Sequence, residues 1–194
     1  MLDGVARKLH LASDSPMNDE LIARLTALGV TKTHLNACKL PESEEAMNLV
    51  QAEDDMFARV QYMTANTLQA WQLMRETAAQ ENVVLLLVSA FRSIDYQCEL
   101  IKGKLTAGQD LDNILNVNAI PGFSEHHTGR ALDISTPNCE PLSTDFETTD
   151  AFHWLLEHAG HFAFVMSFPK DNDSGIIYEP WHWALQNVTH GNVS

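Results

Sequence analysis

An α+β domain with a small, mostly antiparallel sheet flanked by helices is the fold the sequence predicts. Three observations carry that prediction: helix-period apolar patterns dominate residues 1–80, short strand-like runs interleave with helical ones afterwards, and long connections separate them. The spacing predicts a short amphipathic helix over 18–28, with Leu21, Ile22, Leu25 and Leu28 as its apolar positions and Gly29 as the stop. The longest periodic segment runs from Met56 to Gln80. Met56, Val60, Met63, Trp71, Met74 and Ala78 share a helical face there, and this methionine stripe reads as core packing rather than a cofactor site. Asn82 ends it. VVLLLVS (83–89) follows, a continuous apolar run expected of a central strand covered on both faces. Residues 94–106 read as helix, 107–122 as an irregular connection around Gly108, Pro121 and Gly122, and ALDIS (131–135) as a short strand. Thr149–Ala159 reads as a helix stopped by Gly160, with further strands over 162–168 and 176–185. The expected organisation is a helical region, 1–80, packed on a core, 81–190, in one compact domain.

The totals narrow the function classes. Twelve basic against 26 acidic residues give a formal net charge of −14. That argues against nucleic acid as a partner, because phosphate binding needs a basic footprint. An anionic small substrate remains compatible, since one well-placed arginine acts locally against the global field. No transmembrane span is expected: the longest apolar stretch surrounds 83–88 and falls short of the about 20 residues a spanning helix needs. Residues 1–20 lack the apolar centre of a signal peptide. The expected location is therefore cytoplasmic as written, or periplasmic or cell wall if a leader has been removed. Cys38, Cys98 and Cys139 are odd in number and widely spaced, which reads as reduced, partly buried thiols. Nothing in the sequence bears on oligomeric state.

The stretch FSEHHTGRALDIS (123–135) places an aspartate, Asp133, between Leu132 and Ile134, where a carboxylate without a partner would be expensive to bury. In a strand, Ala131, Asp133 and Ser135 share one face, and their small neighbours leave room there for something larger than a water. Gly129 lets the chain turn back so that a histidine lies over the same face. His126 and Asp133 then form either a hydrogen-bonded structural pair or two arms of a metal site. EPWH (179–182) adds a second carboxylate and a second histidine. Two histidines and one carboxylate suit Zn²⁺ with a fourth position open. Glu179 is then available to accept a proton from a water whose pKa a metal lowers toward about 7. His127 is a rival to His126, although the spacing to Gly129 favours His126. His153, His158 and His161 read as surface or packing residues.

Three ordered motifs carry a family resemblance. S-x-H-x-x-G-x-A-x-D is present as Ser124, His126, Gly129, Ala131 and Asp133; E-x-W-H as Glu179, Trp181 and His182; and SAFRSIDYQ (89–97) looks like an S-G-Y-R-S segment. Together they resemble the VanY-type zinc D-alanyl-D-alanine carboxypeptidases and their LdcB-like L,D-carboxypeptidase relatives, over roughly residues 83–185. The resemblance implies a fold of the D-Ala-D-Ala carboxypeptidase/hedgehog-like type and one Zn²⁺ per chain on His126, Asp133 and His182. It also implies Glu179 as general base, with Arg92, Gln97 and Ser124 holding the C-terminal end of a peptidoglycan stem peptide or muropeptide. The arginine role has a physical ground of its own, because a guanidinium fork meets a free carboxylate bidentately; a surface salt bridge is its other reading. Ala90-Phe91 stand where relatives have Gly-Tyr, and Trp183-Ala184 follow His182 where relatives often carry an aromatic residue and then Arg. Both departures bear on substrate preference more than on zinc.

The activity implied is release of C-terminal D-alanine, as an L,D-carboxypeptidase on tetrapeptide muropeptides. An enzyme without an export signal would meet recycled muropeptides, and there it would cut between meso-diaminopimelate and D-alanine. The alternatives are a D,D-carboxypeptidase on pentapeptides, an endopeptidase cutting L-alanyl–D-glutamate, and a non-catalytic zinc module that binds cell-wall peptide. Glu179 argues against the last, since a binding module has no need of a carboxylate aimed at an open metal position.

Overall fold

The structure is a computed structural model that describes residues 17–186. The signal-peptide reading of the N-terminus rests largely on residues 1–16, which lie outside the described residues, as do 187–190 of the expected core. The chain begins with α1 (Asp19–Ala27) and the short α2 (Lys32–Ala37), then forms a hairpin of β1 (Leu49–Asp54) and β2 (Val60–Thr64). Next come α3 (Ala65–Gln80), β3 (Leu86–Ser89), α4 (Ile94–Thr106) and α5 (Leu111–Asn116). The chain continues with β4 (Ala131–Ser135), α6 (Asp150–His158), β5 (Phe164–Met166) and β6 (His182–Leu185). Strands β3, β4, β6 and β5, in that order, make an antiparallel sheet. The α+β class with a small antiparallel sheet is therefore what the chain adopts.

The helix expected from Met56 starts instead at Ala65, and residues 60–64 are strand. Asp55 decides the difference. Its carboxylate accepts hydrogen bonds from the backbone N–H of Phe57 and Arg59 and from the side chains of Arg59 and Gln61, closing the hairpin turn around Ala58 at φ 58°. Met56, Val60 and Met63 are spaced like a helical face, so the strand periodicity was hidden in the same residues. Met63 and Met74 do sit in the core, whereas Met56 is exposed. The apolar run at 83–89 yields an edge strand rather than a central one. The hairpin turn covers that edge: Met56 N–H bonds Leu87 O, and the Arg59 guanidinium bonds Val88 O. Covering an edge in this way removes the open ladder that would otherwise need charged residues. The connection 107–122 contains α5, started by Asp110, whose carboxylate accepts from the N–H groups of Asp112 and Asn113. The strand expected over 176–185 is confined to its last four residues.

Leu132 and Ile134 of β4 point into the main core with Trp71, Met74 and Ala78 of α3, Trp154 and Leu155 of α6, and Trp183 of β6. A second cluster joins Leu21 and Leu25 of α1 to Cys98 of α4 and to Ile120 and Phe123. It clamps α4 and the 120–123 segment. The opposite face of β4 carries Ala131, Asp133 and Ser135, and is left for the site.

Candidate active site

Asp133 and His182 are directly paired residues of β4 and β6, so their side chains leave the same face of the sheet. Asp133 Oδ1 lies 3.1 Å from His182 Nδ1. His126 arrives from the segment before β4, where Glu125–Thr128 form one turn of 3₁₀ helix ending at Gly129 with φ 64°. Its Nε2 lies 3.3 Å from Asp133 Oδ2. One ligand atom from each of these three buried residues falls within 4.8 Å of the others.

Gly129 is required twice at this point. Its left-handed φ disfavours any side chain, and a Cβ would stand 2.8 Å from Leu49 Cδ2 where the hairpin closes over it. Thr64 N–H also donates to Gly129 O across the same contact. Gly129→Ala is therefore expected to destabilise the protein by about 2 kcal/mol or more in chemical denaturation. Gly103→Ala, in the interior of α4 with nothing near the added methyl, should instead stabilise it by about 0.5–1 kcal/mol.

The ring orientations are set by contacts outside the cluster. His126 Nδ1 donates to Ala90 O at 2.6 Å, which leaves the Nε2 lone pair directed at Asp133. His182 Nε2 bonds Glu125 Oε2 at 2.9 Å, which leaves Nδ1 facing Asp133. Outer partners of this kind fix tautomer and ring direction at metal-binding histidines. His127 is different: Nδ1 donates to Arg92 O and Nε2 accepts from Gly122 N–H, so both nitrogens are used in tying the loop together. Burial lowers its pKa to about 4, keeping it neutral. His153, His158 and His161 lie on and just after α6, where His158 rests against the Trp154 ring.

Electrostatics agree with the donor geometry. Burial opposes charge on all three residues, yet the neighbouring histidines hold the Asp133 carboxyl far below its usual range. Burial likewise works against charge on His182, and the Asp133 and Glu125 carboxylates overcome it, raising His182 to about 10. Burial dominates at His126 and lowers it. A carboxylate and a protonated ring thus balance each other where a divalent cation could replace the proton. Two imidazole nitrogens and one carboxylate oxygen, with their remaining polar atoms already partnered, fit a tetrahedral metal with one open position.

Glu179 stands beside this cluster, buried, with Oε2 3.9 Å from His182 Nδ1. Burial pushes its carboxyl up to about 7, against the pull of His182. A cavity of about 410 Å³ opens onto the cluster and is lined by Arg92, Ser124, His126, Asp133, Glu179 and His182, among others. Arg92 donates to Gln97 Oε1 at 3.0 Å and to Ser89 Oγ at 3.4 Å, and its guanidinium is 3.7 Å from Asp133. Gln97 is fully buried behind it. Its Oε1 accepts from Arg92 and its Nε2 donates to Ala119 O, so it braces the arginine and does not form cavity wall. Glu125 and Lys104 also reach the site, and sequence reasoning missed both. Neither belongs to the quoted motif positions, although Glu125 lies between Ser124 and His126.

Residues 60–188, well over half of the chain, match the family model for VanY, D-alanyl-D-alanine carboxypeptidase. The chain belongs to the VanY family. A putative carboxypeptidase of Bacillus subtilis (strain 168), YodJ, is 31% identical over 156 residues, covering 74% of this chain and 55% of YodJ. The chain thus spans about half the length of that curated relative. Among solved structures, the LdcB LD-carboxypeptidase superposes with a TM-score of 0.66 at 29% identity, covering 75% of this VanY-family chain and 71% of LdcB. A VanY D,D-pentapeptidase from a VanB-type resistance cassette, in complex with Zn(II), has a TM-score of 0.57 at 22% identity, with coverage of 75% and 82%, and shows the shared fold.

Proposed function

We propose that this VanY-family chain is a zinc-dependent carboxypeptidase that releases C-terminal D-alanine from peptidoglycan stem peptides, as an L,D-carboxypeptidase on tetrapeptides. The observation that carries the reading is the convergence of His126, Asp133 and His182 on one point, with Glu179 and Arg92 in the same cavity. Membership of the VanY family supports the reaction, and the similarity to LdcB, an LD-carboxypeptidase, supports the L,D preference.

The zinc would be held by His126 Nε2, an Asp133 oxygen and His182 Nδ1, where it would supply Lewis-acid polarisation of the scissile carbonyl and of an attacking water. Glu179 accepts the proton of that water and passes it to the leaving amine. Its burial, which raises the carboxyl, makes Glu179 readier to accept a proton. Arg92, braced by Gln97 and Ser89, keeps N–H groups for the terminal carboxylate of the peptide, which restricts cleavage to the last residue. Ser124 in the cavity wall offers a hydroxyl to the same end.

Mass spectrometry of a mixture of disaccharide tetrapeptide and pentapeptide, incubated with the purified protein with and without a chelator, tests this. The expected result is loss of one alanine from the tetrapeptide, abolished by chelation. Loss from the pentapeptide alone would make the enzyme a D,D-carboxypeptidase. No loss from either would remove the catalytic reading.

A further inference from the structure

Lys104 has no part in the chemistry described above, yet its side chain forms wall of the same cavity. It lies on α4 seven residues after Gln97, two helical turns and about 10 Å along the axis, so the helix face that braces Arg92 also presents the lysine. The half-buried ammonium donates to Asn118 Oδ1 at 3.2 Å, its one hydrogen-bond partner among the described residues. Asn118 is itself buried and anchored, with Nδ2 donating to Ile114 O at 2.8 Å. The amide therefore holds the lysine in place without neutralising it. An ammonium carries three donors, so two remain for a ligand. No described carboxylate lies within ion-pair distance of Lys104: Asp133 is engaged by His126 and His182 and Glu125 by His182, while Glu179, which faces His182, attracts the ammonium only from farther away. The same cavity wall includes the apolar Leu100, one turn before the lysine on α4, with Val117, Ile176 and Ile177. Such a wall weakens solvent screening and strengthens the attraction for an anion.

Besides its histidines, the cavity of this acidic protein is lined by two basic side chains, Arg92 and Lys104. Arg92 suffices for the terminal carboxylate of a peptide. A second cation, displaced along α4 and held by an uncharged amide, calls for a second carboxylate displaced from the chain end.

We propose that Lys104 reads a free side-chain carboxylate on the residue preceding the released alanine. The preferred substrate is then a tetrapeptide with a diaminopimelate-type residue there, its side-chain carboxylate unmodified. A carboxamide at the same position cannot form the charge-assisted bond, and a lysine places like charges together. The inference rests on the tetrapeptide carboxypeptidase reading and assigns that reaction its substrate class.

The test is kcat/KM of the zinc-loaded full chain on three tetrapeptides that differ only at that residue: diaminopimelate, its side-chain amide, and lysine. Wild type is expected to favour the free acid over the amide by about ten- to a hundredfold, the range for a hydrogen bond to a charged group. Lys104→Met should bring that ratio close to one, Lys104→Arg should preserve it, and Lys104→Glu should invert the order between diaminopimelate and lysine. Equal wild-type kcat/KM on acid and amide, or a wild-type ratio retained by Lys104→Met, would overturn the assignment while leaving the carboxypeptidase intact. Release of alanine by wild type from none of the three peptides would instead overturn the proposed function, and this inference with it.

Discussion

Glu179→Gln is expected to lower kcat by roughly 10²–10⁴-fold, the usual contribution of a positioned general acid–base group. The substitution keeps the size of the side chain and removes its ability to take up a proton. Glu179 lies 3.9 Å from His182 Nδ1 but outside the three-residue donor cluster, so zinc binding should survive. Isothermal titration with zinc on the metal-free variant, alongside alanine release from tetrapeptide, separates the two effects. Near-wild-type zinc affinity with collapsed turnover assigns the proton-transfer role to this carboxylate. Turnover within threefold of wild type would remove Glu179 from the chemistry.

Asp133→Ala should be severe in both stability and metal binding. The carboxylate is contacted by both cluster histidines and lies 3.7 Å from the Arg92 guanidinium. Its removal leaves the buried His182 imidazolium with Glu125 alone and the mostly buried Arg92 guanidinium without its nearby carboxylate. Breaking a buried ion pair from one side costs about 3–5 kcal/mol. Denaturation of the metal-free protein should show a loss of that order. The rise in Tm that zinc produces in wild type should also disappear, because binding to the folded state stabilises only while the donors persist. An Asp133→Ala protein that zinc still stabilises as much as wild type would exclude this residue from the donor set.

The elements that were legible in the sequence share a feature. Residues 19–27, 94–106 and 150–158 are helices with their own capping side chains, Asn18, Ser93 and Thr149, and their start signals are local. ALDIS alternates between core and site, so its period of two was readable within five residues. The hairpin was not legible. Its apolar residues fit a helical spacing equally well, and Asp55 closes the turn through four hydrogen bonds that no short pattern announces. The run at 83–89 was misplaced within the sheet for a related reason. Leu85, Leu87 and Val88 are buried like residues of a central strand, and only the half-exposed Val84 marks the edge.

By itself the sequence determined the chemical types at the site, because its motifs are short. His126 and Asp133 are seven residues apart, on a turn and the strand that follows it, and Glu179 and His182 are three apart, on the turn that leads into β6. The tertiary structure alone decided which atoms face one another. Asp133 meets His182 across 49 residues only through the register of β4 on β6, and a one-residue slip would have turned either side chain to the other face. The same non-local packing set Glu125 against His182, Gln97 behind Arg92, and Lys104 on Asn118. Those contacts depend on where whole elements come to rest, and no spacing within a motif encodes that.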